Sequence, residues 1–367
     1  MMKNTFGNNV AITIFGESHG EYIGAVLDGL APGVKVDEDF IRAQLSLRRP
    51  SGQISTPRVE GDNFSIVSGV FDGYTTGSPI CILIPNENTK SKDYSKTKDL
   101  ARPGHADYTA ECKYHGFQDY RGGGHFSGRV TAALVAAGAI AIAALKEKGI
   151  EIGTHISKLG PIADRGFDSN ALRADINKLA SLEFAVLDDG KAEEMKNEIL
   201  LAREESDSVG GVLETAVVGL DAGLGEPWFD SLESLVSHAI FSIPGIKGIE
   251  FGAGFSLADM RGSEANDQME MVDGKVVTKT NNNGGINGGI SNGMPMIFRC
   301  AVKPTPSIFK KQSTVDMARM ENAELCLEGR HDPAIIHRAR VVVDSMTALV
   351  LCDVLSGRFG TDWLVTK

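Results

Sequence analysis

Apolar positions along the chain fall into two kinds of run. Short stretches of β-branched and aromatic residues, closed by glycine or proline, predict strands at 10–15, 23–27, 63–70, 79–84, 151–159, 209–218, 248–255 and 296–302. Helical spacing predicts amphipathic helices at 37–47, 191–205 and 232–241, the second a charged surface element, and an apolar helix at 338–355. One stretch differs from all of these. From Val130 to Leu145 there is no charge and no polar face, so a helix here must be buried all round. With Ser127 as N-cap and Gly149 as its stop, such a helix is roughly 30 Å long, enough to cross a domain. Its alanine content lets neighbouring layers approach closely. A membrane span is the competing reading, but the uncharged run is shorter than about 18 residues and alanine drives insertion weakly.

Polar and glycine-rich loops sit between these runs, and they carry the chemistry. Gly122, Gly123 and Gly124 feed the buried helix directly, with Arg121, His125 and Arg129 beside them. Glycine permits close approach to main-chain N–H groups, and a helix N-terminus favours negative charge, so this is a candidate anion site. Two histidines stand in separate glycine turns, Gly16-Glu17-Ser18-His19-Gly20 and Arg102-Pro103-Gly104-His105-Ala106-Asp107, where Asp107 is close enough in sequence to orient His105. Histidine exchanges protons near neutrality. Neither histidine has a second ligand at metal spacing, so no zinc site is predicted.

The remaining loops are candidates of the same kind. Arg48-Arg49-Pro50 ends a helix, Arg58 follows, and the basic loop 86–98 is a candidate lid over an anion. Residues 261–280 predict a long loop or hairpin, and the Asn/Gly run 281–291 suits a backbone that hugs a flat ligand.

Charge narrows the partners. With 37 basic and 48 acidic residues, net −11, the chain lacks the broad positive field that nucleic acids or anionic membranes require. Basic clusters within an acidic protein point instead to a small anionic ligand. The cysteines, Cys81, Cys112, Cys300, Cys326 and Cys352, are odd in number and widely spaced, as in a reducing compartment. No apolar segment near the N-terminus reads as a signal peptide, so the expected location is the cytoplasm. No linker divides the 367 residues, and the special loops are scattered, which predicts one unit spanning residues 1–367 whose loops converge on one site.

Taken together and in order, the two histidine turns, Asp119 to Gly124, Gly288-Gly289-Ile290-Ser291, Lys303-Pro304-Thr305 and Gly329-Arg330-His331-Asp332-Pro333 resemble chorismate synthase over nearly the whole chain. The resemblance implies an α/β fold of the α+β type: a β-α-β sandwich with central buried helices between two mainly antiparallel sheets, assembled as a homotetramer. It implies an anti 1,4-elimination of phosphate from 5-enolpyruvylshikimate 3-phosphate to give chorismate, with reduced FMN required but no net redox change. The flavin is reduced either with NADPH by the enzyme or by an external flavin reductase.

Residue by residue, the resemblance makes His19 the acid for the departing phosphate and places His105 by the flavin pyrimidine edge. Asp332 relays the flavin proton with Ser18 nearby. His125, Phe126, Ser127, Gly288, Lys303, Pro304, Thr305, Pro306, Ser307 and Arg330 fall at flavin-contacting positions, and Arg48, Arg49 and Arg129 at substrate or NADP positions. The chain departs from the common pattern at His125 and Ile54, both often arginine, at Pro244, asparagine in some members, and at Asp344, usually glutamate. The alternative is a flavin oxidoreductase or flavin-binding protein acting on a small anion.

Overall fold

In the computed structural model, which describes residues 4–50, 52–56, 61–87, 98–327 and 332–366, the eight predicted strands, joined by two short ones the sequence did not signal (Thr5–Phe6 and Ile162–Ala163), form two five-stranded sheets. The first runs Thr5–Phe6, Ala11–Gly16, Tyr22–Asp28, Ile80–Pro85, Ser65–Ser68. The second runs Ile246–Phe251, Met296–Val302, Gly211–Val218, Glu151–Leu159, Ile162–Ala163. Each of these pairings is antiparallel. Period-two alternation explains their facing: Met296, Phe298, Cys300 and Val302 are buried while the residues between them are partly exposed.

Two helices fill the space between the sheets. Thr131–Glu147 is the alanine-rich helix, with residues 131–141 buried without a break. At 17 residues it is about 25 Å long, shorter than the sequence predicts, because Gly128–Val130 forms a separate 3-10 turn capped by Ser127. By length and composition Gly128–Glu147 is apolar enough to cross a membrane, yet 83% of its most apolar window is buried inside the fold. Ile336–Phe359 is the second helix, extending the predicted 338–355 at both ends.

The two helices pack so closely that a Cβ on Gly138 would lie 2.3 Å from Ser345 Cβ. Small residues at the crossing therefore set the layer spacing, and each fully buried Ile or Leu around it contributes about 1.5–3 kcal/mol. The Asp353 carboxylate of the second helix accepts the backbone N–H groups of Asn8, Asn9 and Val10 at 2.6–3.1 Å, tying the N-terminal hairpin to the core.

In the stretch 281–291 a Cβ on Gly284 would meet Gly252 N at 2.5 Å, and one on Gly289 would meet Glu226 O at 2.5 Å, so these two glycines serve close backbone packing. A Cβ on Gly288 would meet nothing within 4 Å. Residues 261–280 do form a hairpin, pairing Met269–Val272 with Lys275–Thr278.

Buried titratable groups make stability depend on pH. His337 stacks on Phe184 and shares a 2.8 Å hydrogen bond with Ser55 Oγ; burial, then the charge of Arg338, pushes its pKa down to about 3. The unfolded chain therefore binds the extra proton first, and stability falls as pH drops from about 6.5 towards 3. Asp344, raised to about 6 by burial against the opposing effects of Arg340 and Thr154, acts in the other sense between about 4 and 6. His337→Gln keeps a side-chain partner for Ser55 without titrating. Its melting temperature should fall less between pH 6.5 and 4 than that of the wild type; equal falls would contradict the assignment.

Candidate active site

A cavity of about 820 Å³ opens where both buried helices begin. Val130, Thr131 and Leu134 line it from one helix; Ile335, Arg338, Ala339 and Val342 line it from the other. Two helix N-termini thus face one space, and both favour an anion. The side chains agree. The lining holds seven Lys or Arg residues (Arg48, Lys98, Arg102, Arg129, Lys247, Lys303, Arg338) against three acidic residues (Asp107, Asp119, Asp332), in a chain of net charge −11. Each of those three carboxylates is itself paired with an arginine.

His19 stands behind the glycine loop. The strand Ala11–Gly16 delivers it, and Ser18 N–H is fixed to Gly124 O at 3.1 Å. Gly122 and Gly123 line the cavity; His19 does not, and it is 8% exposed. Gly122 has φ of +63°, and a Cβ there would lie 2.2 Å from His19 Cε1. Only glycine allows this contact. Ser18 Oγ lies 3.0 Å from His19 Nδ1 and donates to Arg121 O at 3.2 Å. Its one proton being given away, the hydroxyl accepts from Nδ1–H, so the neutral ring carries its acceptor at Nε2.

His105 lies on the cavity wall, on the turn before the helix Asp107–Tyr114. Asp107 does not orient it. That carboxylate grips Arg102 in a two-pronged pair at 2.7 Å each and accepts Arg102 N–H at 2.9 Å. Burial alone raises the Asp107 pKa, but the hydrogen bonds and charge of Arg102 outweigh it and hold the group below the usual carboxylate range. A partner of His105 is Ser307, whose Oγ is 2.7 Å from Nε2.

The third wall is a charged relay. Asp332 accepts Thr56 N–H at 2.8 Å and Arg338 Nη1 at 2.7 Å. Arg338 Nε also donates to Arg48 O at 2.8 Å, and Arg48 is buried with Nη2 3.3 Å from Arg129 O. Arg129 and Arg49, expected to meet a ligand, both pair with Asp62, and Arg129 also lines the cavity. Arg129 is buried, ion-paired to Asp62, and donates to Asn86 Oδ1 at 3.0 Å and Pro85 O at 3.1 Å. Arg49 does not line the cavity; its Nε is 3.6 Å from Asp62 and it donates to Gly61 O. Burial alone raises the Asp62 pKa, yet the charges of Arg48 and Arg129 win and hold it low. Asp62 thus anchors both arginines beside the cavity.

A family model described as chorismate synthase matches residues 10–355. A chorismate synthase of Pyrococcus abyssi (strain GE5 / Orsay) is 47% identical over 348 residues, covering 95% of this chain and 96% of the relative. One from Methanococcoides burtonii (strain DSM 6242 / NBRC 107633 / OCM 468 / ACE-M) is 45% identical over 358 residues, with 96% of both chains covered. The chain belongs to the chorismate synthase family. A crystal structure of chorismate synthase superposes with a TM-score of 0.76 at 30% identity, covering 96% of this chain and 94% of the other. Its likeness and the two antiparallel sheets agree with the α+β sandwich expected from the sequence.

Of the positions that family resemblance marks, His125, Phe126, Ser127, Lys303, Pro304 and Pro306 line the cavity. His125 Nδ1–H donates to Gly16 O at 2.7 Å, which fixes its ring without an ion pair. Ser127 accepts Arg129 N–H at 3.2 Å as a cap. Gly288, Thr305 and Ser307 are not on the cavity wall, and Arg330 lies outside the described residues. So do Arg58 and most of the expected lid, residues 88–97.

The donor set fits the FMN that the chorismate synthase family implies. The volume lies towards the upper end of the roughly 300–1,000 Å³ usual for small-molecule sites. Lys247 and Lys303 supply cations, Phe126 supplies an aromatic face, and Gln118 Oε1 is buried with no hydrogen-bond partner among the described residues. Sequence reasoning missed Arg338, Lys247 and His238, all on the wall. They sit in unremarkable helical or strand surroundings, with no motif to signal them.

Proposed function

We propose that this chain is a reduced-FMN-dependent carbon–oxygen lyase that converts 5-enolpyruvylshikimate 3-phosphate to chorismate and phosphate. The observation that carries the reading is the cation-rich cavity at two helix N-termini, with His19 behind one wall and His105 on another. A substrate with a phosphate and two carboxylates needs such a field, preorganised so that nothing reorients as charge moves to the leaving group. When bound, reduced FMN supplies electron density transiently and recovers it, so no net oxidation occurs. The protein does the rest. His19, once protonated at both ring nitrogens, gives its Nε2 proton to the departing phosphate while Ser18 holds Nδ1. His105 governs protonation at the flavin edge. Asp332, oriented by Arg338 and Thr56, carries the proton onward.

Arg48 and Arg338 with Lys303 hold the anions. Arg129 and Arg49 act through Asp62 by fixing the loop that bears Arg48. A cytoplasmic homotetramer is part of the same reading, and the exposed Trp228, Phe229, Phe117 and Phe255 support self-association. The source of reduced FMN, NADPH on this enzyme or a separate reductase, is decided by supplying NADPH and oxidised FMN anaerobically to the protein alone.

The test of the reaction is an anaerobic assay with 5-enolpyruvylshikimate 3-phosphate and substoichiometric reduced FMN. Release of many phosphates per flavin, with the flavin still reduced at the end, is expected. Stoichiometric flavin oxidation without phosphate release would favour an oxidoreductase.

A further inference from the structure

The turn that bears His105 is clasped by a segment some two hundred residues away. Lys303 Nζ donates to Gly104 O at 2.6 Å, and Gly104 is so close to Pro306 that a Cβ there would lie 2.8 Å from Pro306 Cβ. Ser307 Oγ completes the clasp at His105 Nε2, 2.7 Å away. Ser307 itself is buried and is not among the residues lining the cavity, whereas His105 is. Its hydroxyl therefore meets the reacting space through the imidazole.

We infer that Ser307 is a positioning residue for His105: its hydroxyl bonds Nε2 at 2.7 Å and so sets the ring plane from which the histidine exchanges its proton. This goes beyond a direct flavin contact at Ser307 and rests on the reading of His105 as a proton-transfer group. A hydroxyl both donates and accepts, so it follows His105 through either protonation state without releasing the ring. An alanine cannot, and the ring loses the contact that fixes its Nε2 edge.

The test is a double-mutant cycle in the anaerobic phosphate-release assay, with FMN affinity measured by fluorescence titration. S307A should lower kcat about tenfold, the effect of losing one well-placed hydrogen bond, with FMN affinity within about twofold of wild type. S307T, which keeps the hydroxyl, should restore most of the rate. In an H105A background, S307A should change kcat less than about twofold. The 15N resonance of His105 Nε2 should shift in S307A and not in S307T.

Equal losses from S307A in both backgrounds, or weakened FMN binding with unchanged kcat, would overturn the inference in favour of a structural or direct flavin role. A wild-type rate in H105A would overturn the reading of His105 instead. The 15N signal separates the two failures, because it reports the Ser307–His105 bond whatever the rates do.

Discussion

Gly122→Ala should lower turnover by roughly 10²-fold while leaving the fold and FMN binding in place. Two effects act together. Gly122 sits at φ +63°, where alanine is strained, and the new Cβ would lie 2.2 Å from His19 Cε1 and 2.5 Å from Nδ1. The backbone is anchored by the Ser18 N–H to Gly124 O bond, so the imidazole is the part that yields. A displacement of about 1 Å at a reacting group costs on the order of 10²-fold. Removing the ring outright, His19→Ala, should cost roughly 10²–10⁴-fold, the usual worth of a positioned proton donor. Once His19 is alanine, Gly122→Ala should add little, because its methyl group then enters the space the ring has left. Measured kcat values for the two single variants and the double variant check this. A near-normal rate in His19→Ala would remove His19 from the chemistry, and full additivity would show that Gly122 acts by some other route.

The second large effect belongs to His105→Ala. Turnover should again fall roughly 10²–10⁴-fold, with the melting temperature nearly unchanged. The turn keeps its shape without the imidazole because Arg102 and Asp107 form their own two-pronged pair and Lys303 still holds Gly104 O. If His105 served only to hold that turn, the variant would lose stability and FMN affinity together while keeping kcat. Calorimetry and flavin titration beside the rate assay distinguish these outcomes.

The contrast between these residues shows what a sequence can carry. Strands at Glu151–Leu159 and Met296–Val302 and the helix Leu232–Phe241 lie at their predicted bounds, because apolar periodicity and glycine or proline punctuation are local signals. The buried helix was legible for the same reason: an uncharged alanine-rich run has no face to give to water. Partnership was not legible. Asp107 is near His105 in sequence yet accepts its hydrogen bonds from Arg102, while Ser307, which bonds the imidazole, is 202 positions away. Arg129 reads as a ligand contact beside a glycine loop, and it lines the cavity, but its pairing with Asp62, 67 positions upstream, has no local signal. In the Asn/Gly run 281–291, Gly284 and Gly289 are needed for backbone-to-backbone packing while Gly288 faces open space, and composition alone cannot tell the two uses apart.

The most direct measurement is a crystal structure of the protein with oxidised FMN and 5-enolpyruvylshikimate 3-phosphate. Both ligands should occupy the single cavity between Gly122 and Lys303. The substrate phosphate should lie within hydrogen-bonding reach of His19, and the flavin ring should lie beside His105. A flavin bound on another surface, or two histidines that touch neither ligand, would contradict the account.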